Sequence, residues 1–223
     1  MSQEAKKFLA ELIGTFALVL FGAGAIMQQV TTQSVGTTGI AVAHGLAILV
    51  CVYAFGHISG GHFNPAVTFG MLVTRRIRFG GAISYWIAQL LGASIAAGVL
   101  FAAYHGGPAE AHLGAPAVDP SIGPKMAMLL EATMAFMLVI VIFGTAVDPR
   151  APKGFAGLAI GLTLIANILM GGALTGASFN PARAFGPALL AGYWQDQWLY
   201  WVGPLLGGGV AALLYDRVFL ERA

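Results

Sequence analysis

The stretch Ser59-Gly60-Gly61-His62-Phe63-Asn64-Pro65-Ala66-Val67-Thr68-Phe69-Gly70 returns as Thr175-Gly176-Ala177-Ser178-Phe179-Asn180-Pro181-Ala182-Arg183-Ala184-Phe185-Gly186. A single Asn-Pro-Ala triplet fits an ordinary surface loop with an Asn-capped helix behind it. Two triplets, each preceded by Phe and followed at equal distance by Phe-Gly, indicate a duplicated unit. Asn is a favoured N-cap and Pro is favoured at the first helical position. Each triplet therefore starts a short helix, expected over Asn64–Thr74 and Asn180–Leu190. The runs before them are rich in Gly and small residues and suit an extended chain.

The flanks decide where these loops sit. The chain has 223 residues, 58% hydrophobic and 9% charged, with a mean hydropathy of +0.81. No Asp, Glu, Lys or Arg occurs between Glu11 and Arg75, between Arg78 and Glu110, or between Lys153 and Arg183. A membrane span needs about 20 mostly apolar residues. Six stretches meet or approach that length: Phe8–Gln28, Gly39–Gly56, Gly81–Tyr104, Met126–Val147, Phe155–Gly172 and Trp198–Phe219. The fold class is an all-α membrane protein of six transmembrane helices plus two re-entrant half-helices. A net charge of +2 is too small to suggest nucleic acid, and the single cysteine, Cys51, excludes a disulfide within one chain. The first span is too long for a cleavable signal and lacks a convincing cleavage site.

Threading six spans puts Lys6, Lys7, Arg75, Arg76, Arg78, Arg150, Lys153, Arg217 and Arg222 on one side; only Lys125 and Arg183 fall elsewhere. By the positive-inside rule that side, with both termini, is cytoplasmic. Short termini without a targeting segment suggest a prokaryotic inner membrane. Tyr85, Trp86, Tyr193, Trp194, Trp198, Tyr200 and Trp201 lie at or near span ends and read as interfacial aromatics.

Further landmarks recur. Tyr85-Trp86 with Leu90-Leu91-Gly92 returns as Tyr200-Trp201 with Leu205-Leu206-Gly207, and Glu11 returns as Glu131. The chain reads as one channel domain, 1–223, with halves of roughly 5–105 and 125–220. Three spans per half is an odd number, so the second half is inverted. Inverted repeats place their site at the midplane, at broken helices. Non-helical backbone at that depth must be buried in protein or line a wet cavity. Arg183, beside an embedded half-helix, is functional by default rather than an interfacial snorkelling cation.

These motifs resemble the aquaporin (major intrinsic protein) family, over essentially the whole chain from Glu11 to Tyr215. The resemblance implies an aquaporin-like bundle with one pore per subunit, a homotetramer in the lipid bilayer, and no cofactor, metal or enzymatic activity. It implies that Asn64, Pro65, Ala66, Asn180, Pro181 and Ala182 form the pore centre. The carbonyls of Gly60, Gly61, His62, Gly176, Ala177 and Ser178 would replace lost hydration, with Ile48, Val52 and Leu164 as apolar wall. It makes His44, Ile168, Ala177 and Arg183 the narrowest constriction, and Glu11, Glu131 and Gln89 structural braces. His112 is a candidate extension of the filter, with a solvated loop histidine as the plain alternative.

This filter departs from that of strict water channels, which carry an aromatic and a His where this chain has His44 and Ile168. It is similar to that of plant tonoplast members. The resemblance therefore implies water conduction with ammonia and other small neutral solutes such as urea, while protons and ions are excluded. A glycerol/urea facilitator is the alternative, weakened by Ala184 where facilitators usually carry Asp. An intramembrane protease would need more than the faint Gly176-Ala177-Ser178 turn. A secondary transporter would need coupling-ion ligands at the midplane, where only Asn64 and Asn180 stand, and a non-conducting adhesion member would not need Arg183. His57 and His62 could form a metal pair, but no carboxylate or cysteine is near them in sequence. His105 carries no assigned role.

Overall fold

A computed structural model describes residues 1–221, Glu110 by its backbone alone; Arg222 lies outside the described residues. All regular structure among the described residues is helical. The helices are α1 (Gln3–Thr32), α2 (Gly36–Ser59), α3 (Pro65–Val73), α4 (Phe79–Ala103), α5 (Gly123–Ile142), α6 (Ala156–Thr175), α7 (Pro181–Ala191) and α8 (Leu199–Leu214). Six of them are long and apolar enough to cross a bilayer. The short α3 and α7 are the two half-helices. This is an integral membrane protein, and its helical membrane fold is the one expected from the sequence.

Both half-helices begin as their residues dictate. Asn64 and Asn180 hold extended backbone (φ −157° and −151°) and accept from Ala66 N–H at 2.8 Å and Ala182 N–H at 3.0 Å. Pro65 and Pro181 follow at the first turn, where a missing N–H costs nothing. The chain reaches each cap from a helix that ends on a left-handed glycine, Gly60 after α2 and Gly176 after α6.

The two halves interlock. α1 packs on α4 and α5 on α8, while α2 and α6 meet between the halves. The half-helices cross over: α3 of the first half lies on α8, and α7 of the second lies on α4. Small residues permit these approaches, as packing in lipid requires. At Gly92 a Cβ would strike the Leu12 carbonyl, and at Gly207 the Ala132 carbonyl.

Two expected belt residues lie inside instead. Tyr85 and Tyr200 are buried, and their hydroxyls donate to the carbonyls of Ser59 (2.6 Å) and Thr175 (2.7 Å), at the foot of each re-entrant loop. An interfacial position and a loop-anchoring position look alike in sequence, because both put an aromatic near a span end. Trp194 and Trp198 are half-exposed, as a belt requires.

The face carrying Arg76 and Arg150 is closed by a polar clamp. α5 and α8 each end in a widened turn, with Asp148 N–H donating to Phe143 O and Leu220 N–H to Tyr215 O. Asp148 accepts from Arg150 Nε at 2.9 Å and from the Tyr215 hydroxyl at 3.1 Å. Arg150 also meets Glu221 at 2.7 Å, and Arg76 pairs with Asp216 at 3.0 Å. The hydrogen bonds from Arg150 hold the Asp148 carboxyl well below the usual carboxylate range. A carboxyl depressed in the folded state stabilises above its unfolded pKa of about 4 and loses that contribution as pH falls further. Asp148→Asn should therefore lower the melting temperature in detergent at neutral pH. The gap to the wild type should shrink as pH drops below about 4.

Candidate functional site

The site is built where the two re-entrant runs meet. Each run is irregular rather than extended, left-handed at Gly60, Gly61 and Phe63 and again at Gly176, Ala177 and Phe179, so within a bilayer its N–H groups need partners supplied by the protein. Buried carboxylates supply them. Glu11 on α1 accepts from His62 N–H (2.9 Å), Phe63 N–H (2.7 Å), the Ser59 hydroxyl (2.7 Å) and the Gln89 amide (2.8 Å). Glu131 on α5 accepts from Ser178 N–H (3.0 Å), Phe179 N–H and the Thr175 hydroxyl (2.6 Å). The two sets correspond group by group. Gln89 joins the first set and also donates to Thr68 at 3.0 Å.

The caps then meet head to head. Asn64 Nδ2 donates to the Phe179 carbonyl at 3.0 Å, and Asn180 Nδ2 donates to the Phe63 carbonyl at 2.9 Å. Each asparagine thus spends its oxygen on its own helix and one N–H on the opposite half. An amide has two N–H donors, so one remains on each. Both asparagines line the same enclosed cavity, with Gly61, His62, Ala177, Ser178, Ile48 and Leu164. Leu18, Leu138, Ile142 and Ile160 complete its apolar wall.

The cavity volume is about 20 Å³, against the ~10–15 Å³ that one water needs. Two larger chambers lie on either side, one of about 260 Å³ that shares His44 and Arg183 with it and one of about 550 Å³ beside Val52 and Gly60. Among the described residues, no N–H or O–H donates to the carbonyls of Gly60, Gly61, His62, Gly176, Ala177 or Ser178.

His44, Ala177 and Arg183 line the enclosed cavity, and His44, Ile168 and Arg183 line the wider chamber that adjoins it. The four filter candidates therefore gather at one junction. His44 Nδ1 lies 2.9 Å from the Ile40 carbonyl, so Nδ1 carries the proton and Nε2 accepts from Arg183 Nε at 3.4 Å. Arg183 is 1% exposed and donates through Nη1 to the Gly114 carbonyl at 2.9 Å. Its Nη2 is buried without a hydrogen-bond partner, and no carboxylate pairs with it among the described residues. Burying an unpaired guanidinium costs several kcal/mol. A donor left free beside a passage is what a permeant oxygen would occupy.

His112 lies elsewhere. Its ring stacks on Tyr193, with centroids 3.9 Å apart and planes 12° apart, and it lines neither chamber. The loop still reaches the filter, through a left-handed run at His112, Leu113 and Gly114 that turns the Gly114 carbonyl onto Arg183. A backbone carbonyl leaves no side-chain signal, so sequence reading could not find Gly114. His57 borders the wider inner chamber, and His62 faces Thr68 at 3.0 Å; no metal-binding group occurs among the described residues. Cys51 is buried and lines none of these three chambers.

Comparison with known proteins gives the family. The chain belongs to the major intrinsic protein family, whose family model matches residues 1–215. It is similar to Aquaporin TIP4-4 of Zea mays (46% identical, 96% of this chain and 86% of the relative). It is also similar to Aquaporin TIP1-2 of Zea mays (45%; 98% and 87%). The X-ray structure of the aquaglyceroporin from Plasmodium falciparum matches with a TM-score of 0.85 at 27% identity, over 96% of both chains.

Glu131→Gln should destabilise the protein by roughly 2 kcal/mol or more, because an amide cannot accept two N–H groups and a hydroxyl as a carboxylate does. Thermal melting in detergent measures it, and an unchanged melting point would remove the brace role. Mercury should inhibit transport only weakly, since Cys51 lies off the passage. Strong inhibition that persists in Cys51→Ser would contradict this placement.

Proposed function

We propose that this protein is a passive channel for water and ammonia rather than an enzyme, and that it excludes protons and ions. The observation that carries this reading is the head-to-head pair of half-helices, whose capping asparagines line one narrow cavity. Each helix N-terminus presents roughly half a positive charge. Two of them facing one point repel any cation there. Each asparagine keeps one amide N–H for the occupant. A water between them turns its oxygen toward both donors, so it cannot accept from the next water in the file. That break stops a proton from hopping through. A neutral solute meets neither barrier, and the unpaired carbonyls of Gly60, Gly61, His62, Gly176, Ala177 and Ser178 replace its lost hydration.

Arg183 supplies the second selective step. Its free Nη2 holds a permeant oxygen while its charge opposes cations. Opposite it, Ile168 offers only apolar surface, and His44 is smaller than the aromatic found in strict water channels. That combination supports ammonia beside water and leaves room for urea. Glycerol is the weaker candidate, because Ala184 removes the Asp that facilitators carry after the second triplet.

We read the chain as one channel domain over 1–223, with halves of roughly 5–105 and 125–220. It assembles in a bilayer as a homotetramer with both termini cytoplasmic. The expectation of a prokaryotic inner membrane has only the short termini behind it. The relatives named above come from a plant, so the reading kept is the coarser one, an integral membrane channel.

Purified protein in liposomes tests the function. Osmotic shrinkage should be faster than in protein-free vesicles and have a lower activation energy. Ammonia uptake should exceed the lipid background, and an imposed ion gradient should leave solute flux unchanged. Shrinkage no faster than in empty vesicles overturns the water channel; ammonia uptake at background overturns the wider solute range alone.

A further inference from the structure

The filter has a determinant that does not touch the passage. Gly22, on α1, is buried, lines neither chamber, and packs against the outer end of the His44 ring. A Cβ at Gly22 would collide with Cδ2 and Nε2 of His44 and lie 2.8 Å from Cε1. No flexible side chain tip intervenes: the whole edge of the imidazole occupies the space that a methyl group would fill. We propose that Gly22 sets the aperture of the filter, by leaving room for the His44 ring to lie back against α1. This inference rests on the channel reading above.

The direction of the effect follows from what surrounds the ring. Its Nδ1 is tied to the Ile40 carbonyl one turn back on α2, which fixes the hinge. Its Nε2 reaches Arg183 at 3.4 Å across the junction lined by Ile168. With a methyl group on α1 against its outer end, the ring is displaced from α1 toward Arg183 and Ile168. That movement narrows the junction and disturbs the acceptor that Arg183 Nε now uses. Overpacking of this kind forces side chains off their resting positions. α1 is backed by α4 along its length, with Gly92 against the Leu12 carbonyl at one end and Leu100 against Gly24 beside Gly22.

Ala23 beside it has a related duty. A Cβ at Gly114 would lie 2.8–3.0 Å from Ala23, so the loop that presents its carbonyl to Arg183 rests directly on α1. Gly22 and Ala23 of α1 therefore back two of the four filter side chains, while Leu18 and Ile26 of the same helix line the passage.

The test is a two-by-two set in liposomes: wild type, Gly22→Ala, His44→Ala, and both together. Osmotic water permeability per channel is measured with ammonia, urea and glycerol flux. Gly22→Ala should lower water permeability by about tenfold and lower the flux of the largest solute that the wild type conducts by more. In the His44→Ala background the same change should have no effect, because no ring remains to be pushed. A merely structural glycine would cost the same in both backgrounds. If Gly22→Ala alone does not reach the membrane, the double variant should, since removing the ring makes room for the methyl group. Unaltered flux in Gly22→Ala, an equal loss in both backgrounds, or failure of both variants to fold overturns the proposal. A wild type no faster than empty vesicles would instead overturn the channel reading itself.

Discussion

The whole arrangement depends on two buried carboxylates that give non-helical backbone a place inside a bilayer. A peptide N–H in hydrocarbon without a partner costs several kcal/mol. Glu11 and Glu131 each absorb two such N–H groups, together with the hydroxyl of the residue that starts the loop. A buried carboxylate is itself costly until its lone pairs are filled. Each therefore needs the other, and neither would persist alone. Once both loops are pinned, the asparagine caps are brought within reach and lock the halves through the Phe63 and Phe179 carbonyls.

The same economy governs the filter. Arg183 is fully buried, with no carboxylate at salt-bridge distance among the described residues, which would be untenable for an isolated charge. It is held by one carbonyl, Gly114, and one imidazole nitrogen, His44. Neither neutralises it, so its field stays directed at the passage. Selectivity by charge and tolerance of neutral solutes then have a common origin: donors are plentiful at the midline and at Arg183, and carboxylates are kept behind the loops, where they orient backbone rather than attract cations.

Much of this was legible in the sequence because the bilayer allows few solutions. Six apolar runs, two Asn-Pro caps and matched glutamates leave little choice of fold, and the spans and half-helices lie close to their expected bounds. Gln89 and both glutamates could be named as braces, since a polar group at that depth must be paired. What escaped were contacts with no side-chain signature. The Gly114 carbonyl is a backbone atom brought in by three left-handed residues, and Gly22 acts by lacking a side chain. Tyr85 and Tyr200 read as interfacial in the sequence because the aromatic signal there does not reveal whether the hydroxyl turns out to water or in to a carbonyl. His112 was linked to the filter by analogy, whereas its ring stacks on Tyr193.

The central claim is that two half-helix caps share one wet midpoint. An experimental structure of the protein in lipid, sharp enough to resolve ordered water, tests it most directly. The account predicts an unbroken single file from Gly60 to Gly176, with the central water oxygen within hydrogen-bond reach of Nδ2 of both Asn64 and Asn180. A dry or plugged midpoint, or asparagine amides turned away from the file, would contradict it.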